Sequence, residues 1–106
     1  MLLPVFHESV PNDIQHYTNN FLRARYISTL TDKCVMPFTP LTTYLQNKGF
    51  WASFHVEYIE ILPLNLYVDK VLKKYPSNKT LLLKAMQSNG LSDEAIQKFA
   101  PKLLEP

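Results

Sequence analysis

Prolines limit the lengths of the segments into which this chain can fold. Eight prolines but only two glycines occur in the 106 residues, and most of the prolines stand between apolar runs. Proline lacks a backbone N–H and disfavours helical geometry in the residue before it, so these positions mark the ends of helices and strands. Sites that bind nucleotide phosphates through glycine-rich loops need several closely spaced glycines. With only two glycines, Gly49 and Gly90, the chain cannot form such a site. Both glycines are instead typical of helix ends.

The longest predicted helix follows Pro11 and spans residues 12–31. Its apolar side chains fall on two sides, and Leu22, Tyr26 and Leu30 form the second of these rows. A helix that is apolar on two sides is either central to the fold or offers one side to a partner.

Local signals predict further helices along the rest of the chain. Thr39 and Pro40 are typical of a helix start, and Gly49 is typical of its end. Apolar spacing predicts three more helices near residues 64–75, 78–88 and 92–100. We expect these three to form a C-terminal tri-helical unit within one globular domain of residues 1–106.

The segment FWASFHVEYIEIL, residues 50–62, decides the fold class. Its aromatic and β-branched residues favour a strand, whereas Ser53, Glu57 and Glu60 would form one polar stripe on a helix. A strand needs partners, and residues 2–6 and 33–38 are short and interrupted by proline. We therefore predict a buried helix and a mainly α fold, a compact bundle of five to six helices. The alternative is an α+β fold with a small sheet from residues 2–6, 33–38 and 50–62.

The net charge and the cysteine content indicate which partners and which cellular compartment to expect. The formal net charge is only +2, so no strong field attracts nucleic acid or an anionic membrane. Cys34 is the sole cysteine, which excludes an intrachain disulfide and favours a reducing compartment. No run approaches the roughly 20 apolar residues that span a bilayer. We expect a soluble cytoplasmic protein without a membrane partner.

Catalytic and metal-binding patterns are weak. His7, His16 and His55 have no compact ligand spacing, and one cysteine cannot form a cysteine-rich zinc site. Neighbours in sequence supply no nucleophile with a base and an orienting group. We expect neither a metal, nor a cofactor, nor enzymatic activity.

The hairpin at residues 79–100 resembles a helix-turn-helix. Ala85, Leu91, Ile96 and Phe99 fit that motif, whereas Met86 and Asn89 depart from it. The resemblance implies a DNA-binding regulator, although Asp93 and Glu94 would then face a polyanion. The side chains expected to contact DNA in that case are Lys79, Lys84, Ser92, Gln97, Lys98 and Lys102.

The aromatic content instead favours a protein-binding module. Six tyrosines, six phenylalanines and one tryptophan are many for a domain of this size, and tyrosine and tryptophan are enriched in binding hot spots. We expect an adaptor, a regulator or inhibitor, or an assembly subunit that binds another protein or a second copy of itself. The candidate contact residues are Leu22, Tyr26, Leu30, Trp51 and Tyr67.

Overall fold

A computed structural model of the chain describes residues 1–31 and 34–106. About 61% of these residues are helical, which confirms the prediction of a mainly α protein. The elements, in chain order, are β1 (Leu3–Phe6), α1 (Asn12–Leu30), α2 (Thr39–Asn47), β2 (Phe50–Phe54), β3 (Tyr58–Pro63), α3 (Leu64–Lys74), α4 (Lys79–Ser88) and α5 (Asp93–Phe99). Short 3-10 turns at Pro76–Asn78 and Pro101–Leu104 complete the path. The predicted helical bundle is not confirmed, because α1 and α2 pack on a sheet.

The segment 50–62 forms a β-hairpin, so the prediction of a buried helix there is wrong. β3 lies in the middle of a sheet ordered β1-β3-β2. It pairs antiparallel with β2 and parallel with β1. The two strands of the hairpin thus pair with each other, and residues 2–6 supply the third strand of the sheet despite Pro4. Residues 34–38 form no strand, and position 33 lies outside the described residues.

The register of β2 against β3 shows which backbone groups face outwards. The N–H of Leu64 donates to the carbonyl of Gly49 at 2.9 Å, and the N–H of His55 donates to the carbonyl of Tyr58 at 2.9 Å. Hydrogen-bonded pairs alternate along an antiparallel ladder. The backbone groups of Phe50, Ala52 and Phe54 therefore point away from β3, towards the outer edge of the sheet.

The sheet and the first two helices enclose one hydrophobic cluster. It contains buried side chains from α1, α2, β2 and β3, and the most fully buried of these are Leu41, Leu45, Ile59 and Ile61. Successive side chains of a strand point to opposite faces of the sheet, so Ile59 and Ile61 of β3 share one face and both reach this cluster. The buried residues of α1 all lie between its start and Leu22; they are Ile14, Thr18, Phe21 and Leu22.

The C-terminal helices enclose a second hydrophobic cluster. Its buried members are Leu64, Val68, Met86, Leu91, Ile96, Ala100 and Leu103. The turn between α4 and α5 has the hydrogen bonds of a Schellman motif: Gly90 N–H donates to Gln87 and Leu91 N–H to Met86, at 3.0 and 3.1 Å. The hydroxyl of Ser92 then caps α5 by accepting from the N–H of Ala95 at 3.1 Å.

Gly49 joins the two clusters. Its φ of +89° lies in the left-handed region that glycine tolerates best, and the ring of Phe99 packs directly on its Cα. Trp51 of β2 stacks on Tyr67 of α3 with ring centroids 5.3 Å apart. The molecule has extents of 49 × 26 × 25 Å. Across both described stretches, no helix has the length and apolar character required to cross a membrane.

Candidate functional site

The last two turns of α1 carry apolar side chains that stay in solvent. No residue of α1 after Leu22 is buried, although Tyr26, Ile27 and Leu30 are all large and apolar. Residues three and four apart share a helix face, so Leu30 lies beside both Tyr26 and Ile27. Further along the chain Met36 is held against the helix, because Arg25 Nε donates to its carbonyl at 2.9 Å. Within the described residues the three apolar side chains stay exposed.

Met1 links these side chains to a second exposed group on the sheet. A pocket of about 260 Å³ is lined by Met1 and Tyr26, among others. A second pocket, of about 510 Å³, is lined by Met1, Leu3 and Val56, among others. Val56 lies in the β2–β3 turn and is 98% exposed. We call the whole set the apolar end surface; its members are Met1, Leu3, Tyr26, Ile27, Leu30 and Val56.

Only two of the five predicted protein-binding residues lie on this surface. Tyr26 and Leu30 belong to it, but Leu22 is 4% exposed and packs in the first cluster. Its assignment to a partner surface is corrected, because its side chain is already covered by the core. Trp51 and Tyr67 stack on each other and pack against the second cluster, so they are not brought together with Tyr26 and Leu30.

Met1, Leu3 and Val56 were missed by sequence reasoning. Met1 and Leu3 reach Val56 only because β1 pairs with β3, where Leu3 lies opposite Tyr58. Val56 belongs to the turn of a hairpin that was interpreted as a helix. A prediction of strand pairing between residues 2–6 and 58–61 would have found all three residues.

The residues of the DNA-binding alternative are partly engaged within the chain. Lys79 Nζ donates to the Glu105 carbonyl, and Lys102 Nζ lies 3.1 Å from Asp69 Oδ1. Lys98 Nζ lies 5.2 Å from the centroid of the Phe99 ring. The Ser92 hydroxyl is used in the helix cap, while Lys84 and Gln97 are exposed. DNA binding through this hairpin stays a prediction. Three of its lysines, Lys79, Lys98 and Lys102, already make contacts within the chain.

The outer face of the hairpin brings together a serine, a histidine and a carboxylate. His55 Nε2 lies 3.4 Å from Ser53 Oγ and 3.8 Å from Glu60 Oε1. A Ser–His–acid relay needs the two ring nitrogens to serve different partners. Here one nitrogen meets both groups, and Lys70 Nζ lies 3.7 Å from the other oxygen of Glu60. This geometry is that of a surface polar cluster on a strand.

Helices α1 and α2 meet through a pair of tyrosines. Tyr17 and Tyr44 stack with ring centroids 3.7 Å apart. Burial, together with the nearby Asp13 carboxylate and Tyr17, raises the pKa of the Tyr44 hydroxyl above its ordinary value. The hydroxyl therefore stays neutral at physiological pH.

The described residues contain no group of three or more histidine, cysteine, aspartate or glutamate side chains able to hold a metal ion. Cys34 is exposed and free. Comparisons of the chain with models of protein families, with curated proteins and with solved structures find no match.

Proposed function

We propose that the chain is a non-enzymatic protein-binding module that contacts a partner protein through the apolar end surface. The observation that carries the proposal is the contiguity of six exposed apolar side chains around Met1 and the end of α1. Apolar residues scattered singly over a surface are ordinary, whereas large contiguous apolar patches mark interaction sites. Covering them with another protein removes this area from water.

The composition of the surface supports a protein rather than a nucleic acid as the partner. The side chains of its six members are uncharged, and Arg25 and Glu57, which also line the two pockets, carry opposite charges. A nucleic-acid site depends on an excess of cations that displace counterions from phosphates. Tyr26 offers a rigid ring with a polar tip, a combination enriched at protein interfaces. A reducing cytoplasm suits the exposed, free thiol of Cys34.

A matched pair of substitutions tests this proposal. Leu30 and Leu81 are both 66% exposed, but Leu30 belongs to the apolar end surface whereas Leu81 lies on α4. Leu30→Asp is expected to weaken binding about tenfold or more, because it places a charge in a desolvated contact. Leu81→Asp is expected to leave binding unchanged.

The measurement has two parts that separate the kinds of partner. Sedimentation of the purified chain over a range of concentrations reports self-association. Capture from nuclease-treated extract, followed by titration of the purified captured protein, reports a different partner. A loss confined to Leu30→Asp supports the proposal in either assay. Equal behaviour of the wild type and both variants would overturn it, and steeply salt-dependent duplex binding would favour the DNA-binding alternative.

A further inference from the structure

We propose that the outer edge of β2 binds an extended, uncharged peptide segment as a fourth strand of the sheet. This site shares no residue with the apolar end surface, and the inference does not depend on the proposed function. It rests on the outward-facing backbone groups at the edge of β2, on the groove beside them and on the contrast with the opposite edge of the sheet.

The first observation is a row of unpaired backbone groups. The N–H and C=O groups of Phe50, Ala52 and Phe54 point away from β3, and they have no hydrogen-bond partner within residues 1–31 and 34–106. A row of unpaired N–H and C=O groups at the edge of a sheet is a template for pairing with another chain. An added strand supplies donors and acceptors at the spacing that this edge requires.

The second observation is a glutamine beside this edge. Gln46 of α2 is 8% exposed. It lines a groove of about 160 Å³ at the edge of β2. The other lining residues are Thr42, Trp51, Ala52, Phe54 and Asn89. An amide in this position can donate to and accept from a side chain of the bound segment.

The lining defines the chemistry of the ligand. All six lining residues are uncharged, so a charged side chain would lose its hydration without gaining a counterion. Ala52 is small and leaves room opposite it, next to Gln46. The segment that fits best is extended and uncharged, with an amide or hydroxyl side chain facing Gln46 and apolar contacts to Trp51 and Phe54.

The two edges of the sheet differ in a way that supports this assignment. In β1, the N–H of His7 donates to the Ile61 carbonyl at 2.9 Å, so the backbone of Pro4, three residues earlier, faces outwards. Proline has no N–H to offer at that edge, and prolines are a common means of protecting edge strands. The β2 edge carries no proline, and the groove beside it is lined by Thr42 and Gln46 of α2 and by Asn89.

The experiment uses the full chain and a displayed library of random linear peptides as the probe. Enriched peptides are then synthesised and titrated against the wild type. Their binding is expected to shift the backbone amide resonances of Ala52 and Phe54 and to slow the hydrogen exchange of both amides. The Gln46 side-chain amide resonances are expected to move as well.

Two variants separate strand addition from other kinds of binding. Ala52→Pro removes an outward N–H while leaving the hydrogen bonds to β3, and it is expected to abolish binding. Gln46→Leu keeps the approximate size of the side chain but removes its amide, and it is expected to weaken binding roughly 3- to 10-fold. This second variant decides the matter if Ala52→Pro fails to fold.

Two controls complete the design. Gln97→Leu makes the same change at an exposed position of α5 and is expected to leave binding unchanged. Leu30→Asp is also expected to bind the peptide normally, so failure of this inference and failure of the proposed function can be told apart. The inference is overturned if no peptide is enriched, or if enriched peptides bind Gln46→Leu as tightly as the wild type without protecting the Ala52 amide.

Discussion

At the scale of single residues, the two glycines have different roles although their backbones are alike. Gly49 and Gly90 both have positive φ, at +89° and +91°. A Cβ on Gly90 would meet nothing within 4 Å, whereas a Cβ on Gly49 would lie 2.5 Å from Cδ1 of Phe99. Gly90 is therefore needed for conformation alone, and Gly49 for conformation and close packing together.

Alanine substitution at the two positions should reveal this difference. Gly90→Ala is expected to lower the free energy of unfolding by about 1–2 kcal/mol, the cost of a left-handed residue with a Cβ. Gly49→Ala is expected to cost a further 1–3 kcal/mol or so, because Phe99 must move. Denaturant unfolding measures both values. In a Phe99→Ala background the excess at Gly49 should disappear, and its persistence there would contradict the assigned contact.

At the scale of elements, the helix ends that depend on residues close together in sequence could be predicted. Ser92 was expected to cap the last helix, and its hydroxyl accepts from the N–H of Ala95. Thr39 and Pro40 begin α2, and Gly90 ends α4 with positive φ. These signals act over one helical turn, so a single sequence contains all the information that they need.

The hairpin and half of the apolar end surface could not be predicted in the same way. β3 takes its second partner from β1, where Leu3 lies opposite Tyr58. Nothing local to residues 50–62 indicates that partner. Tyr26 and Leu30 were identified from helical spacing alone, whereas Met1 and Val56 meet only through this distant pairing. The strand interpretation also explains why Ser53 and His55 share a face, which a helix would not allow.

The cap of α5 provides a test of one element. Ser92→Ala is expected to lower the free energy of unfolding by about 1 kcal/mol, because the N–H of Ala95 loses its acceptor. Ser92→Asp should restore most of this loss. Ser77, in the 3-10 turn before α4, caps nothing through its side chain, so Ser77→Ala should change stability by less than about 0.5 kcal/mol. Equal effects at both serines in thermal or denaturant unfolding would contradict the cap.

At the scale of the whole molecule, two hydrophobic clusters are joined through β2 and Gly49. The first lies between the sheet and the helices α1 and α2, and the second lies among α3, α4 and α5. β2 belongs to both, since Ala52 packs in the first cluster and Trp51 against the second. Together with the contact between Gly49 and Phe99, this strand couples the two clusters. We expect them to unfold together.

Substitutions in each cluster should therefore shift a single transition. Leu45 and Met86 are almost fully buried, one in each cluster, and Leu45→Ala or Met86→Ala should cost about 2–5 kcal/mol. Trp51 fluorescence reports the second cluster, whereas far-ultraviolet circular dichroism reports the whole chain. Coincident transitions by both probes are expected for the wild type and for each variant. Separate transitions, with Met86→Ala moving the fluorescence transition but only part of the dichroism change, would show that the clusters unfold independently.

The parallel pairing of β1 with β3 also has a consequence for synthesis of the chain on the ribosome. The partner of Leu3 is Tyr58, about 55 residues later. At roughly 5–20 residues per second, β1 waits for about 3–11 s before its partner is made. During this interval α1 and α2 can form, but Phe6 and the apolar face of α1 have no sheet to cover them. The growing chain therefore leaves these apolar side chains in water until the hairpin is made.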